Sequence, residues 1–271
     1  MKIGIFFDGN YIKNYEVEEL QRLLKTKNKF TFFISKDKKK EPKNFSFLRL
    51  ILFHKFYSLI LMERKFAEIF KKKYSFKKKI DTLNKKVSLH KAVPNINKYK
   101  KFSFKMKKFQ NEYKFENKIQ KVIKKNCDIC ILLGLNKIIH FDMLNISKNG
   151  IISFHTADTN FYRGRPSGFY EFVDNVKFGG VTLQRLSNNL DKGEVIFKKT
   201  TNISKCRSPE EVLYKMMKLK KDMLINAIKR ITYSYEFTIP KNTKLNLQRD
   251  SQNLGIVLKC LIKTIYRRYI I

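Results

Sequence analysis

Three side chains of the second half are of types that move protons and hold developing negative charge. Ser153 and His155 stand one residue apart in Ser153-Phe154-His155, at the end of an apolar run, and Asp191 precedes Lys192-Gly193. An imidazole with a pKa of about 6.5 can take or give a proton near neutral pH. A carboxylate beside it can orient the ring, stabilise its charged form or hold a relaying water. A serine hydroxyl is a hydrogen-bond donor. Arg163, in Tyr162-Arg163-Gly164-Arg165-Pro166, can contact an anionic substrate. His155, Asp191 and Arg163 each have a plainer reading: a structural strand histidine, a turn aspartate and a solvated loop charge.

The elements that must position these groups read as alternating strands and helices. Apolar runs at 3–7, 29–35, 127–133, 151–155, 181–186 and 194–197 predict strands. Helical spacing marks 16–26, roughly 45–72, 115–125, 139–148 and 166–176. Gly150 suits a helix C-terminus, and Asp8-Gly9-Asn10 and Gly179-Gly180 read as turns. Ser208-Pro209-Glu210-Glu211 is a helix start with a capping box. The stripe Val212, Leu213, Met216, Met217, Met223, Leu224, Ala227, Ile228 and Ile231 reads as core. Leu254 to Ile271 suggests a final basic helix. This order argues for an α/β sheet, parallel in its first part.

The chain has 271 residues, 43% hydrophobic and 14% aromatic, which excludes general disorder and suits one or two domains. Lys+Arg is 59 against 23 Asp+Glu, a formal charge of +36. Nucleic acid, an anionic membrane surface and anionic small molecules all fit that balance, as does drift onto a solvated surface. Residues 71–125 carry 20 Lys, no Arg and many Phe and Tyr. That mixture can grip single-stranded nucleic acid, but no nucleic-acid motif accompanies it, and a basic surface insertion with inward aromatics is the expectation. No signal peptide is read at the start. The apolar stretch Phe45 to Met62 is broken by Arg49, His54 and Lys55 and is expected to be a buried helix, not a span. Four cysteines are too few for a disulfide scaffold, so a reducing compartment is expected. Cys127 and Cys130, three apart in a presumed strand, should point to opposite faces, and no metal site is expected. G-x-G-x-x-G, the P-loop and G-x-S-x-G are absent.

Four ordered landmarks carry a further reading: Ser153-Phe154-His155, the Tyr162-to-Pro166 loop, Gly180-Val181-Thr182, and Leu190-Asp191-Lys192-Gly193. Their order and separation resemble the formyltransferases that use 10-formyltetrahydrofolate. These have Asn-x-His at a strand end, an Arg-Gly loop, Gly-Val-Thr and a later Asp-x-Gly. The likeness is good over roughly 132–200 and extends to 1–70 by element order alone. Phe154-His155-Thr156-Ala157-Asp158 with Tyr162-Arg163-Gly164 looks most like the bacterial sugar-amine subgroup.

The resemblance implies that His155 and Asp191 are catalytic. It puts Ser153 where the family has an Asn that holds the formyl oxygen. It places folate contacts at Asn136, Lys137, Ile138 and Ile139 and at Ser187 to Leu190, largely through backbone. It leaves Arg163 and Gly164 for the substrate. The fold expected is a Rossmann-like, mostly parallel sheet over 1–204, with the basic zone at 71–125, followed by a helical segment over 205–271. The function implied is formyl transfer from 10-formyltetrahydrofolate to a primary amine, that of a nucleotide-linked amino sugar, in the cytoplasm. Alternatives are methionyl-tRNA formyltransferase and an inactive ligand-binding relative. Nucleic acid is not the favoured partner, and no membrane span is expected.

Overall fold

A computed structural model describes residues 1–37, 55–70, 75–135, 137–189, 192–233 and 253–270. The strands are β1 (Lys2–Phe7), β2 (Tyr11–Lys13), β3 (Lys29–Ser35), β4 (Lys86–Ser88), β5 (Lys100–Phe104), β6 (Met106–Phe109), β7 (Glu112–Phe115), β8 (Ile129–Leu132), β9 (Ile151–His155), β10 (Phe178–Arg185) and β11 (Glu194–Asn202). The helices are α1 (Asn14–Leu24), α2 (Ser58–Phe70), α3 (Lys77–Asn84), α4 (Leu89–Ala92), α5 (Asn117–Asn126), α6 (Phe169–Val173), α7 (Pro209–Met217), α8 (Met223–Tyr233) and α9 (Leu254–Ile265). Seven strands form one sheet in the order β11-β10-β9-β8-β1-β3-β5. Pairing is parallel from β5 to β9 and antiparallel at β9–β10 and β10–β11.

Alternation divides the central strands between two cores. Ile3, Ile5 and Phe7 of β1, Ile129 and Ile131 of β8, and Ile152 of β9 belong to one layer with α1 and α6 to α9. Phe6, Cys130, Leu132 and Ile151 belong to the other, with Ile119 and Ile123 of α5 and the segment Ile139 to Ile146. Gly4 permits the second layer to close, because a Cβ there would meet the Cys127 sulfur at 2.7 Å. Among the described residues, no helix is long and apolar enough to cross a membrane.

Several expectations shift for physical reasons. Gly179 and Gly180 lie inside β10 rather than in a turn. A Cβ on Gly179 would strike Met216 Sδ at 2.8 Å, so α7 rests directly on the strand backbone. The strand at 127–133 begins only at Ile129, and Cys127 is the residue that ends α5. Its thiol therefore meets that of Cys130 in the same core instead of facing away. Segment 139–148 is a single 3-10 turn at Phe141–Met143. The 71–125 zone is no peripheral insertion beyond residue 100: β5 forms the sheet edge against β3, and Phe104 and Phe115 are buried beside Phe6. Of the long helix over 45–72, residues 45–54 and 71–72 lie outside the described residues.

The helix start at Ser208 forms as its sequence implies. The Ser208 hydroxyl accepts from the Glu211 amide at 3.3 Å, and the Glu211 carboxylate accepts from the Arg207 amide at 2.8 Å. The apolar stripe after it divides into α7 and α8, joined by 218–222. Glu19 of α1, buried, accepts from the amides of Asp222 and, at 3.2 Å, Leu224. Those bonds hold the 218–222 link against α1, beside the carboxyl end of β9.

Candidate active site

β9 presents its last three residues at the carboxyl end of the parallel strands, where open α/β sheets bind ligands. Alternation sends Ser153 and His155 to one face and Phe154 to the other, and Phe154 packs on the first core layer. The antiparallel partner β10 sets Gln184 opposite Ser153 and Thr182 opposite His155. The Thr182 hydroxyl donates to the Ala157 carbonyl at 2.9 Å and accepts from the Thr159 amide at 3.3 Å. It thereby folds the chain beyond His155 back over β10.

A cavity of about 1040 Å³ opens at this point. Ser153 to Thr156 form its floor. Leu135 and Lys137 to Ile139, after β8, make one wall, with Leu186 to Asn189 after β10. Lys13, Tyr15, Glu16 and Lys220 make the other, and Gly164, Arg165 and Ser167 close the rim.

Of the expected site residues, Ser153, His155, Lys137, Ile138, Ile139 and Gly164 share this cavity. Asn136, Leu190 and Asp191 lie outside the described residues; their neighbours Leu135, Lys137, Asn189 and Gly193 line it. Arg163, expected at the substrate, is buried and is not part of the cavity wall. Gly164 turns the backbone with φ +95°, and Arg165 lines the cavity in its place. Lys137 is ion-paired with Asp37, and its ammonium stands 4.6 Å from the Tyr113 ring centre. Tyr113 and residues 138–140 are laced by backbone bonds, Tyr113 N–H to Ile138 O at 2.8 Å and His140 N–H to Tyr113 O at 3.0 Å.

Three further residues emerge only in the structure. Glu171, on α6, is buried, and burial pushes its carboxyl up to about 7 while the charge of His155 pulls it the other way. Its signal was a carboxylate inside Phe169-Tyr170-Glu171-Phe172-Val173. Gln184 is 2% exposed and lines the cavity, and its Oε1 has no hydrogen-bond partner among the described residues. Its sign was a polar residue at an inward β10 position. Lys220 is 5% exposed, and burial brings its ammonium down to about 8. Nothing in Lys218-Leu219-Lys220-Lys221 marks it out.

These residues suit a carbonyl-transfer substrate pair. The volume stands at the upper end of the range for ligand pockets, roughly 300–1,000 Å³. A buried amide oxygen left without a partner calls for a ligand or water donor. A histidine, a hydroxyl and an amide converge where a carbonyl oxygen could sit.

A family model described as formyl transferase matches residues 74–228. That is more than half of the chain, and the chain belongs to this family. The methionyl-tRNA formyltransferase of Buchnera aphidicola subsp. Baizongia pistaciae is 30% identical over 110 residues, 41% of this chain and 34% of its own length. That of Prochlorococcus marinus is 26% identical over 127 residues, 47% of this chain and 38% of its own length. The chain spans at most about half the length of such curated relatives. Among solved structures, the sugar 3N-formyl transferase WlaRD, in the presence of dTDP and 5-N-formyl-THF, has a TM-score of 0.54 at 16% identity. It covers 99% of this chain and 81% of its own. The N-formyltransferase of Helicobacter canadensis, with folinic acid and dTDP-3-aminofucose, scores 0.53 at 15% identity, covering 99% and 82%. Glycinamide ribonucleotide transformylase 1 of Symbiobacterium toebii scores 0.52 at 10% identity, covering 91% and 93%. At these identities the likeness is one of fold.

Proposed function

We propose that the chain transfers a formyl group from 10-formyltetrahydrofolate to a primary amine, carried by a nucleotide-linked amino sugar. The observation that carries this reading is the convergence of Ser153, His155 and Gln184 on one large cavity at the carboxyl end of β9. The fold neighbours with folate and dTDP-sugar ligands support the choice of substrates. The donor brings the activated formyl carbonyl. The amine nitrogen bonds to that carbonyl carbon, and as the bond from the carbon to N10 of the folate breaks, His155 takes the proton that the amine must lose and passes it to N10 of the departing tetrahydrofolate. The Ser153 hydroxyl donates to the oxygen on which charge develops, with the Gln184 amide beside it. Asp191 orients the imidazole and stabilises its charged form. Residues 136–139 and 187–190 hold the donor, chiefly through backbone. Arg163, being buried, positions the loop, and Gly164 admits the substrate. Holding donor and amine together supplies much of the remaining rate. The compartment proposed is the cytoplasm.

The assay is formyl transfer from 10-formyltetrahydrofolate to a panel of amino-sugar nucleotides, followed by release of tetrahydrofolate. Transfer to one of them supports the reading. Folate binding without transfer, also in Ser153→Asn, would assign the chain to a retired, binding-only relative. The charge of +36 and the methionyl-tRNA formyltransferase relatives favour a second reading, with charged initiator tRNA as acceptor. Formylation of that tRNA, with affinity falling steeply in salt, would establish it over the sugar.

A further inference from the structure

Two neighbouring helices on the outside of the first core layer leave apolar side chains in water. α2 buries Ile60, Glu63 and Ala67, yet Phe66, Ile69 and Phe70 on its outer flank are exposed, Phe70 by 66%. α9 buries Val257, Cys260 and Thr264, while Leu258, Ile262 and Ile265 are exposed, Ile262 by 67%. A helix with one buried face ordinarily turns polar residues outward. Here each helix carries a second apolar stripe at helical spacing.

The two stripes adjoin. α9 packs against α2, and the turn that follows it, Tyr266–Ile270, clamps the pair. Arg268, buried, donates to both Glu63 carboxylate oxygens of α2 at 2.8 and 2.9 Å and to Glu210 of α7 at 3.1 Å. The Tyr269 hydroxyl donates to Glu63 at 3.2 Å, and its ring lies 6.2 Å from that of Phe66. Phe66 in turn meets Phe70, with ring centres 4.5 Å apart. The apolar flanks of the two helices thereby form one surface.

The rim of that surface is basic. From Leu254 to Ile271 the chain has Lys259, Lys263, Arg267 and Arg268 and no Asp or Glu. Lys259 of α9 and Lys65 of α2 are exposed. Lys263 donates to the Phe172 carbonyl, and Arg267 to those of Ser204 and Cys206, all neutral groups. The acids of α2 are already engaged, Glu63 by Arg268 and Glu68 by Lys77. An apolar, aromatic stripe with a cationic rim matches an anionic lipid surface: the acyl boundary takes the apolar side chains and the headgroups take the charges. A second copy would match the apolar part alone. It would bring another chain of formal charge +36, basic rim against basic rim.

We propose that the α2–α9 face seats the protein on an anionic membrane surface, with Phe66, Phe70 and Ile262 entering the boundary between headgroups and acyl chains. The contact is interfacial. The two helices have 13 and 12 residues, short of the about 20 that a span needs. This seating does not rest on the formyl-transfer reading.

The chain contains no Trp, so a single introduced one reports its own surroundings. The test mixes full-length Phe66→Trp and Ile262→Trp with vesicles of phosphatidylcholine containing about 30% phosphatidylglycerol, at about 0.3 M salt so that general surface charge is screened. Blue-shifted emission, quenched by lipids brominated high on their acyl chains, is expected for both, because such a face sits about 5–10 Å into the boundary. Phe109→Trp, exposed on β6 in the second core layer, should show neither. Phe66→Ser with Ile262→Ser keeps every charge, alters only exposed positions, and should weaken vesicle binding about ten- to a hundredfold. Vesicles of phosphatidylcholine alone should bind at least about tenfold more weakly. Equal binding by wild type and the Ser variant, or unquenched Trp at both positions, would overturn the proposal. A dimer in analytical ultracentrifugation that the Ser variant dissolves, without vesicle binding, would give the face to a second copy and overturn it as well. Formyl transfer without vesicle binding would sink the seating alone, and vesicle binding without transfer would sink only the reaction.

Discussion

The two walls of the cavity use charge in opposite ways. On the wall behind Ile138, the half-buried Lys137 is matched by Asp37 and faces Tyr113, and the backbone is tied to β7. On the wall behind Phe154, the buried Lys220 ammonium lies between the Tyr15 and Phe154 rings and has no ion pair among the described residues. A neutral, pre-ordered wall suits a flat conjugated ligand held through backbone. The floor between them, Ser153 to His155, is where the two ligands would meet.

The largest effects should come from the floor, which both walls serve. His155→Ala and Asp191→Asn should each lower kcat by about two to four powers of ten. The double variant should be little worse, since groups acting as a unit are non-additive. Stopped assays of formylated product check this. Near-normal turnover in either single variant removes that residue from the chemistry and leaves the walls without a shared centre.

Next come the donors to the developing charge. Losing one such donor typically costs about 10²–10³ in kcat. Ser153 and Gln184 are cross-strand neighbours, so each can cover for the other. Ser153→Ala and Gln184→Leu alone are expected to cost about tenfold each, and together to approach that full loss. Ser153→Asn should match or exceed wild type. A double variant no slower than its singles would show that only one of the two reaches the oxygen.

Much of this arrangement was legible in the residues. β3 and β9 match their apolar runs residue for residue, and β1 and α5 fall within one or two positions, because each is apolar on a simple period and ends at a turn or polar residue. Ser153 and His155 were legible because strand alternation fixes their shared face. What escaped was set by partners distant in the chain. Gly179-Gly180 reads as a turn until Met216 and Ile203 press on it. Cys127 and Cys130 read as opposed until α5 is seen to end at Cys127. Residues 100–104 read as a basic surface until β3 pairs with them. Lys220 is one lysine in a basic run, and only Tyr15, some 200 residues earlier, makes it unusual.

A smaller effect separates the floor from its support. Glu171 has a folded pKa raised from 4.5 to about 7 by burial. Below about pH 4.5 the carboxyl is protonated in both states and has no net effect. As pH rises from there to about 7, the unfolded chain gives up its proton first. Stability therefore declines across that window and levels off above it, by on the order of 3 kcal/mol at most. Glu171→Gln should remove that part of the decline, read as the difference in urea midpoints between variant and wild type from pH 5 to 8. Parallel curves would mean that Glu171 is solvated and does not bear on His155.

The mildest test addresses the contrast between the walls directly. Lys137→Met keeps most of the side chain's apolar length and removes its charge. The ion pair with Asp37 is partly buried, with 14% and 25% of the two side chains exposed, and the Tyr113 ring adds a contact. Pairs of this kind contribute on the order of 1 kcal/mol. Their loss should loosen the loop after β8 and raise the KM for the formyl donor about three- to tenfold, with kcat nearly unchanged, the signature of lost uniform binding. Asp37→Asn should do the same, because it breaks the pair from the other end. The KM for the acceptor should stay within about twofold of wild type, since Lys137 lies on the wall away from Lys220. If the acceptor KM moves instead, the division of labour is reversed. If both move together, the two walls are one binding surface, and the difference in their charge compensation does not sort the substrates.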